Sequence, residues 1–257
     1  VTGTFTPQPG AAPLPRMVLA QARMEAKLLL RNGEQLLIAV VIPVLVLIGV
    51  VRGADRLGLD YDHPVVDVTT PGVLALAVLS TSFTSLAIAT GFERRYGILK
   101  RLGASPLPRS GLLAGKVAAL LLVEVVQLVV LTVVGQLLGW DPVVSGAALA
   151  GFVLAVLLGT FAFASLGLLM AGALRAEATL AAANLVYLLL LAGGAVVLPA
   201  SAYGGFGDVA AWLPSGALGE AVRDAFLDGT VAWRDLAVLL GWGVLGTLAT
   251  ARTFSWE

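Results

Sequence analysis

The sequence has 257 residues, 58% of them hydrophobic and only 12% charged, with a mean hydropathy of +0.94. A water-soluble domain carries roughly 25% charged residues, so this composition excludes an ordinary soluble fold and points to a bilayer. The absence of Cys excludes a disulfide framework and thiolate metal sites, and a formal net charge of zero gives no footing for nucleic acid.

Residues 1–15 are rich in Pro, Gly and Thr and are expected to form a disordered tail; residues 16–257 read as a single transmembrane domain. In "RMVLAQARMEAKLLLRNGE" (16–34), Met17, Ala20, Met24 and Leu28 share one helical stripe, while Arg16, Arg23, Lys27 and Arg31 lie largely off it. This predicts an amphipathic helix in the inner interface, its cations on anionic headgroups. The alternative is an extension of the first span. A spanning helix needs about 20 mostly apolar residues, and six segments qualify: about 35–51, 71–91, 112–138, 147–174, 180–198 and 235–251. The first is short; the third and fourth are long enough to tilt. None shows the strict alternation of barrel strands, so the expected fold is all-α. Placing the N-terminus inside puts twelve of the sixteen Lys and Arg inside, including the basic loop at 92–111, and four outside. Both termini and that loop are therefore expected in the cytoplasm. The connection 199–234 is too long for a turn and predicts short helices dipping into the outer leaflet, with Trp212 and Trp233 at headgroup depth.

Polar residues within this framework suggest little chemistry. "GLLAGKV" looks like a phosphate-binding loop, but Ser110 stands where the motif needs Gly, and Val117 where it needs a hydroxyl. Lys116 reads instead as an interface anchor that snorkels. The single His63 lies in a loop beside Asp60, Asp62 and Asp67, an ordinary hydrophilic stretch rather than a cation site. No catalytic or metal-binding set emerges. Glu124 and Gln127 fall within the third span, and Asn184 and Tyr187 within the fifth. Each pair reads either as a substrate or proton path or as hydrogen-bonding glue between helices. Ser80, Thr81, Ser82, Thr84 and Ser85 make the second span polar on more than one face, either lining a cavity or bonding their own backbone. Gly151, Ala155 and Gly159, then Gly167 and Ala171, follow a small-xxx-small pattern that serves close helix packing.

The basic loop carries the most information. Glu93, Arg94, Arg95, Lys100 and Arg101 continue the second span without a break, Leu99 and Leu102 offer apolar contacts, and Pro106 and Pro108 stop the helix. This is the form of a docking element for a cytoplasmic partner, or of a solvated anchor. "FERRYGILKRLGASPLPRSGLLAGKV" resembles the signature of ABC-2-type transporter permeases, E-R-x-x-G-x-L-x-x-L-x-x-[ST]-P-L, a basic residue, then G-K opening the third span. The matching positions are Glu93, Arg94, Gly97, Leu99, Leu102, Ser105, Pro106, Leu107, Arg109, Gly115 and Lys116. "LPASAYGGFGDVAAWLPSGALGEAVRDAF" is similar to the family's stretch after the fifth span. With no large domain between the first two spans, the chain is similar to the short drug- or antibiotic-exporter branch.

The resemblance implies an inner-membrane permease subunit working as a homodimer or related heterodimer, with two copies of a separate cytoplasmic ATPase that binds ATP and Mg. This chain would bind no cofactor itself. The segment Glu93, Arg94, Arg95, Gly97, Leu99, Lys100, Arg101, Leu102, Ser105, Pro106 and Leu107 would ride on that ATPase. Phe83, Thr84, Glu124, Gln127, Asn184 and Tyr187 would contact a hydrophobic or amphipathic substrate. Pro199, Trp212 and Pro214 would belong to an outer gate. Two rival readings are an ion-coupled carrier using Glu124 and a non-transporting anchor for a cytoplasmic partner.

Overall fold

The computed structural model describes residues 12–31, 33–57, 61–104 and 106–253. The fold is 84% helical and, among the described residues, has no strand. Backbone groups in its apolar stretches therefore find partners within their own helices, as lipid requires. Among the described residues, eleven α-helices follow in chain order: α1 (Leu14–Arg31), α2 (Gly33–Leu57), α3 (Val65–Leu79), α4 (Leu86–Arg95), α5 (Ile98–Gly103), α6 (Arg109–Leu137), α7 (Gly146–Ala173), α8 (Ala176–Gly193), α9 (Gly207–Ala210), α10 (Pro214–Leu227) and α11 (Trp233–Thr253). A π-helical turn (Ser80–Ser85) fuses α3 to α4, and a 3₁₀ turn (Ala200–Phe206) precedes α9.

Among the described residues, five helices have the length and apolar character to cross a membrane: Val65–Arg95, Ser110–Leu137, Gly146–Ala173, Ala176–Gly193 and Trp233–Thr253. Of the six expected spans, the first corresponds to α2, a 25-residue helix whose apolar stretch among the described residues is Ala39–Ala54. The 31-residue Val65–Arg95 helix is the central post, with 78% of its apolar window buried, whereas α8 has 17%. Around the post pack α2, α6, α7, α8 and α10. The hydroxyl-rich π turn is tolerated because side chains take over backbone work: Ser82 Oγ donates to Val78 O at 2.5 Å.

The small residues of α7 meet partners inside the protomer. Gly151 abuts the Thr230 carbonyl, Gly159 the Leu218 side chain and Gly167 the Phe83 carbonyl of the π turn, and Ala155 and Ala171 are fully buried. On its other side α7 lies along α11, where Phe161 and Ser165 press on Gly243 and Gly246. α1 is a helix separate from α2 and packs on the start of α6, with Gln21 against Gly115. Its buried face is Gln21 and Ala26; of the predicted apolar stripe, Met17 is half-buried while Ala20, Met24 and Leu28 are left uncovered, as an interfacial helix needs.

Candidate functional site

Glu93, Arg94 and Arg95 fill the last turn of α4. Successive helical residues point about 100° apart, so the three side chains fan toward different neighbours. Lys116 Nζ of α6 donates to Glu93 Oε1 at 2.6 Å and lies 3.0 Å from Glu25 Oε1 of α1. Gln21 Nε2 donates to the same Glu25 oxygen at 2.8 Å. The Lys116 side chain is only 5% exposed. It does not snorkel to water as expected; it is the shared cation of two carboxylates. Arg94 donates from both Nη atoms to Gly172 O and Leu174 O, each at 2.5 Å. Carbonyls at a helix end have no intrahelical partner and carry partial negative charge, so Arg94 caps α7. Arg95 pairs with Glu177 at the start of α8; exposed as it is, that pair is a weak tie.

Gly97 ends α4 with φ +67°, its N–H donating to Arg94 O at 3.1 Å. A Cβ there would have open space, so the backbone angle is what favours Gly. Beyond it, Leu99 is buried and holds α5 down, while Tyr96, Ile98, Lys100 and Arg101 are exposed. Phe92 stacks on Tyr96 at 6.2 Å between centroids. Leu102 and Leu107 are half-buried and Pro106 is exposed; Ser105 lies outside the described residues. The basic loop thus divides into an inward-tied turn, Glu93 to Arg95, and an outward-facing helix.

The polar residues of the spans fall into two groups. Pro43 inside α2 has no N–H for the carbonyl of Ala39, four residues earlier. Gln127 of α6 supplies the missing donor, its Nε2 lying 2.9 Å from Ala39 O, and its Oε1 accepts from Thr81 at 2.7 Å. Gln127 therefore ties α2, the π turn and α6. One turn away, the buried Glu124 accepts at Oε2 from Thr160 of α7 at 2.7 Å; its Oε1 is buried without a partner among the described residues. Phe83 is buried edge-on against Phe163, centroids 6.4 Å apart, and the half-buried Thr84 has a buried hydroxyl without a partner among the described residues. Asn184 is exposed and Tyr187 half-buried on α8, which packs on α4 and α7 rather than beside the α6 pair. The six predicted contacts are therefore not gathered in one place within the protomer.

A family model described as ABC-2 type transporter matches residues 16–227. The chain belongs to that family. No curated protein matches it. It is a multi-pass membrane protein and the membrane subunit of an ABC transporter.

At the end of the permease opposite α5, the predicted gate residues are spread along one excursion. Pro199 precedes the 3₁₀ turn, and Pro214 is buried at the first position of α10, where its missing N–H costs nothing. The Trp212 carbonyl accepts from Trp242 Nε1 at 2.9 Å, and the Trp212 ring lies 4.9 Å from the Arg234 guanidinium.

What organises this excursion is a residue given no role in the sequence reading, Arg223. It is 2% exposed, and its Nη atoms donate to the carbonyls of Ala195, Val196 and Val197 at 2.9–3.2 Å. Its Nε reaches Glu220 Oε2 at 3.2 Å, and Glu220 Oε1 accepts from Ala200 N at 2.7 Å. Ala195 sits at φ +53°, a costly angle for a residue with a Cβ, and Arg223 holds that strained turn. Gly72 of α3 and Gly219 of α10 leave the room, since a Cβ on either would run into the same carbonyls. In the sequence Arg223 showed only as the one Arg of the stretch that is similar to the family's after the fifth span, one helical turn from Glu220. Next to it, burial pushes the Asp224 carboxyl up to about 6, aided by Glu220, Asp235 and Asp228 and opposed by Arg223.

Proposed function

We propose that this permease exports a hydrophobic or amphipathic molecule outward across the cytoplasmic membrane, driven by a separate ATPase on which α5 rides. The observation that carries the reading is the turn at Glu93–Arg95. It is tied directly to α6, α7 and α8, and through Lys116 to Glu25 of α1, while Tyr96, Ile98, Lys100 and Arg101 just beyond it are exposed. A push on α5 would pass through the Gly97 turn to Glu93–Arg95 and from there to the other helices. In this reading α2 is a sixth span, both termini are cytoplasmic, and ATP and Mg sit on two copies of the partner. A second permease subunit completes the path, to which Thr84, Asn184 and Tyr187 contribute, while Phe83 is packed inside the protomer on Phe163. Pro199, Trp212 and Pro214 move with the far-side excursion as its gate.

The test is reconstitution of permease and ATPase in sealed vesicles. Lys100→Glu combined with Arg101→Glu should lower substrate-stimulated ATP hydrolysis and transport tenfold or more, with insertion unchanged. Unaltered transport would remove the coupling role from α5. The partnerless oxygen of Glu124 favours one rival, a proton-coupled carrier. That rival predicts transport that survives without ATP and collapses in Glu124→Gln.

A further inference from the structure

At the end of the permease opposite α5, two cavities meet at one pair of side chains. A cleft of about 640 Å³ opens between the 3₁₀ turn, α9, α10 and the start of α11, with Ser201, Asp208, Glu220 and Arg234 among its walls. A groove of about 420 Å³ runs down α11 along Ala237, Val238, Gly241, Trp242 and Leu245. Trp212 and Arg234 line both, so cleft and groove form one trough. Each volume lies within the range of small-molecule sites.

The groove half is apolar. Its α11 residues recur at the three- and four-residue spacing of a single helix face. Gly241 leaves the floor open, since a Cβ there would have nothing within 4 Å. Trp242 Nε1 is already committed to the Trp212 carbonyl at 2.9 Å, so the α11 wall below Arg234 has no side-chain donor to spare and suits hydrocarbon. From Arg234 to Leu245 the face is about 16 Å long at 1.5 Å per residue, which matches one leaflet, half of a hydrocarbon core of about 30 Å. The exposed Trp212 and Trp233 at its upper end belong to the headgroup layer.

The cleft half is charged and balanced. Glu220 is taken up by Arg223 and the Ala200 N–H. Asp208 and Arg234 are exposed, and neither forms an ion pair among the described residues. The Arg234 guanidinium rests on the Trp212 ring, 4.9 Å from its centroid, an attraction that holds the cation where cleft and groove join. One free anion and one free cation in the same cleft complement a zwitterion. A purely anionic head would also meet Asp208, and a purely cationic one would also meet Arg234.

We propose that this trough binds a phospholipid with an ethanolamine head, drawn from the surrounding bilayer. Its phosphate pairs with Arg234, its ammonium group donates to Asp208, and one acyl chain lies in the groove along α11. A choline head has no N–H to donate to Asp208, and a glycerol head has no cation. Binding stands apart from the transport reading, which adds only that the leaflet is the outer one.

The experiment uses the full chain in choline-lipid nanodiscs without any ATPase. Two photoactivatable phospholipids are compared at trace level, with the same diazirine in the acyl chain and either an ethanolamine or a choline head. The ethanolamine probe should label the peptide containing residues 237–245 at least tenfold more strongly than the choline probe does. It should also label that peptide at least tenfold more strongly than the uncovered α6 face at 125–133. Asp208→Asn should abolish the preference between heads. Arg234→Gln, and Gly241→Leu, which fills the groove, should each lower labelling by the ethanolamine probe at least fivefold. All three positions are exposed, so the variants leave the packed core alone. On the unaltered protein, unlabelled phosphatidylethanolamine should displace the probe at a mole fraction at least tenfold below phosphatidylglycerol. Equal labelling by the two heads, equal labelling of α6 and α11, equal competition, a preference that survives Asp208→Asn, or labelling indifferent to Arg234→Gln or Gly241→Leu would overturn the assignment. Failure here leaves ATP-driven export untouched, and failure of export leaves the binding result standing.

Discussion

Lys116 is the residue whose charge has most to lose. Replacing it with Met leaves Glu25 and Glu93 facing each other without a cation, and breaking a buried pair costs about 3–5 kcal/mol. A fall in the unfolding midpoint of the purified permease should record it, with Lys116→Arg far milder. Gln127 makes a sharper test. Gln127→Leu strands the Ala39 carbonyl and the Thr81 hydroxyl, a loss of about 1–3 kcal/mol. Adding Pro43→Ala gives the carbonyl back an N–H, so the double variant should recover part of the loss, a coupling that a two-mutant cycle measures. Asp224 adds a pH dependence. Its pKa of about 6 in the folded protein lies above its ordinary value. The stability it contributes is therefore complete only below that ordinary value and is lost as pH rises through 6. The unfolding midpoint should climb as pH falls from 7.5 to 5, and Asp224→Asn should flatten that slope. Glu124 and Gln127 were legible in the sequence as buried polar residues. Their partners were not, because Ala39 and Thr160 lie 88 and 36 residues away along the chain. Arg223 stayed hidden for a similar reason, since its acceptors are main-chain carbonyls that no sequence pattern marks.

Among the elements, the junction of α4 and α5 shows how one backbone angle sets a surface. Gly97 at φ +67° turns the chain so that Leu99 is buried while Lys100 and Arg101 are exposed. Gly97→Ala should cost about 1–2 kcal/mol of local strain and lower coupled ATP hydrolysis, while Gly97→Asn, which tolerates that angle, should lose less. Circular dichroism melting and substrate-stimulated hydrolysis read the two effects separately. The motif's Gly and the break it makes were visible in the sequence. That Glu93 and Arg94 would turn inward was not, because a charged run on a helix end looks the same whether water or other helices receive it. α1 was read correctly as separate and amphipathic, since its stripe of apolar residues has no counterpart among its cations.

For the whole molecule, hydropathy was enough to mark the long apolar helices, since lipid leaves the backbone few alternatives. It could not say which helix would stand at the centre. That position went to Val65–Arg95, whose hydroxyls allowed either cavity lining or bonds to their own backbone; Thr81 and Ser82 are buried, and Ser82 bonds the Val78 carbonyl. Its π turn has a consequence for insertions and deletions. A π turn accommodates one residue more than an α-helix of similar rise, so removing one residue from Ser80–Ser85 would restore plain helix and leave both flanks aimed as before. Deleting Thr84 should therefore preserve the Arg94 contact with α7, whereas deleting Ala89, a few positions on, should swing Glu93, Arg94 and Arg95 by about 100° and disconnect all three. Two one-codon losses in the same helix would then have opposite fates, and any alignment gap tolerated in this segment belongs inside the turn.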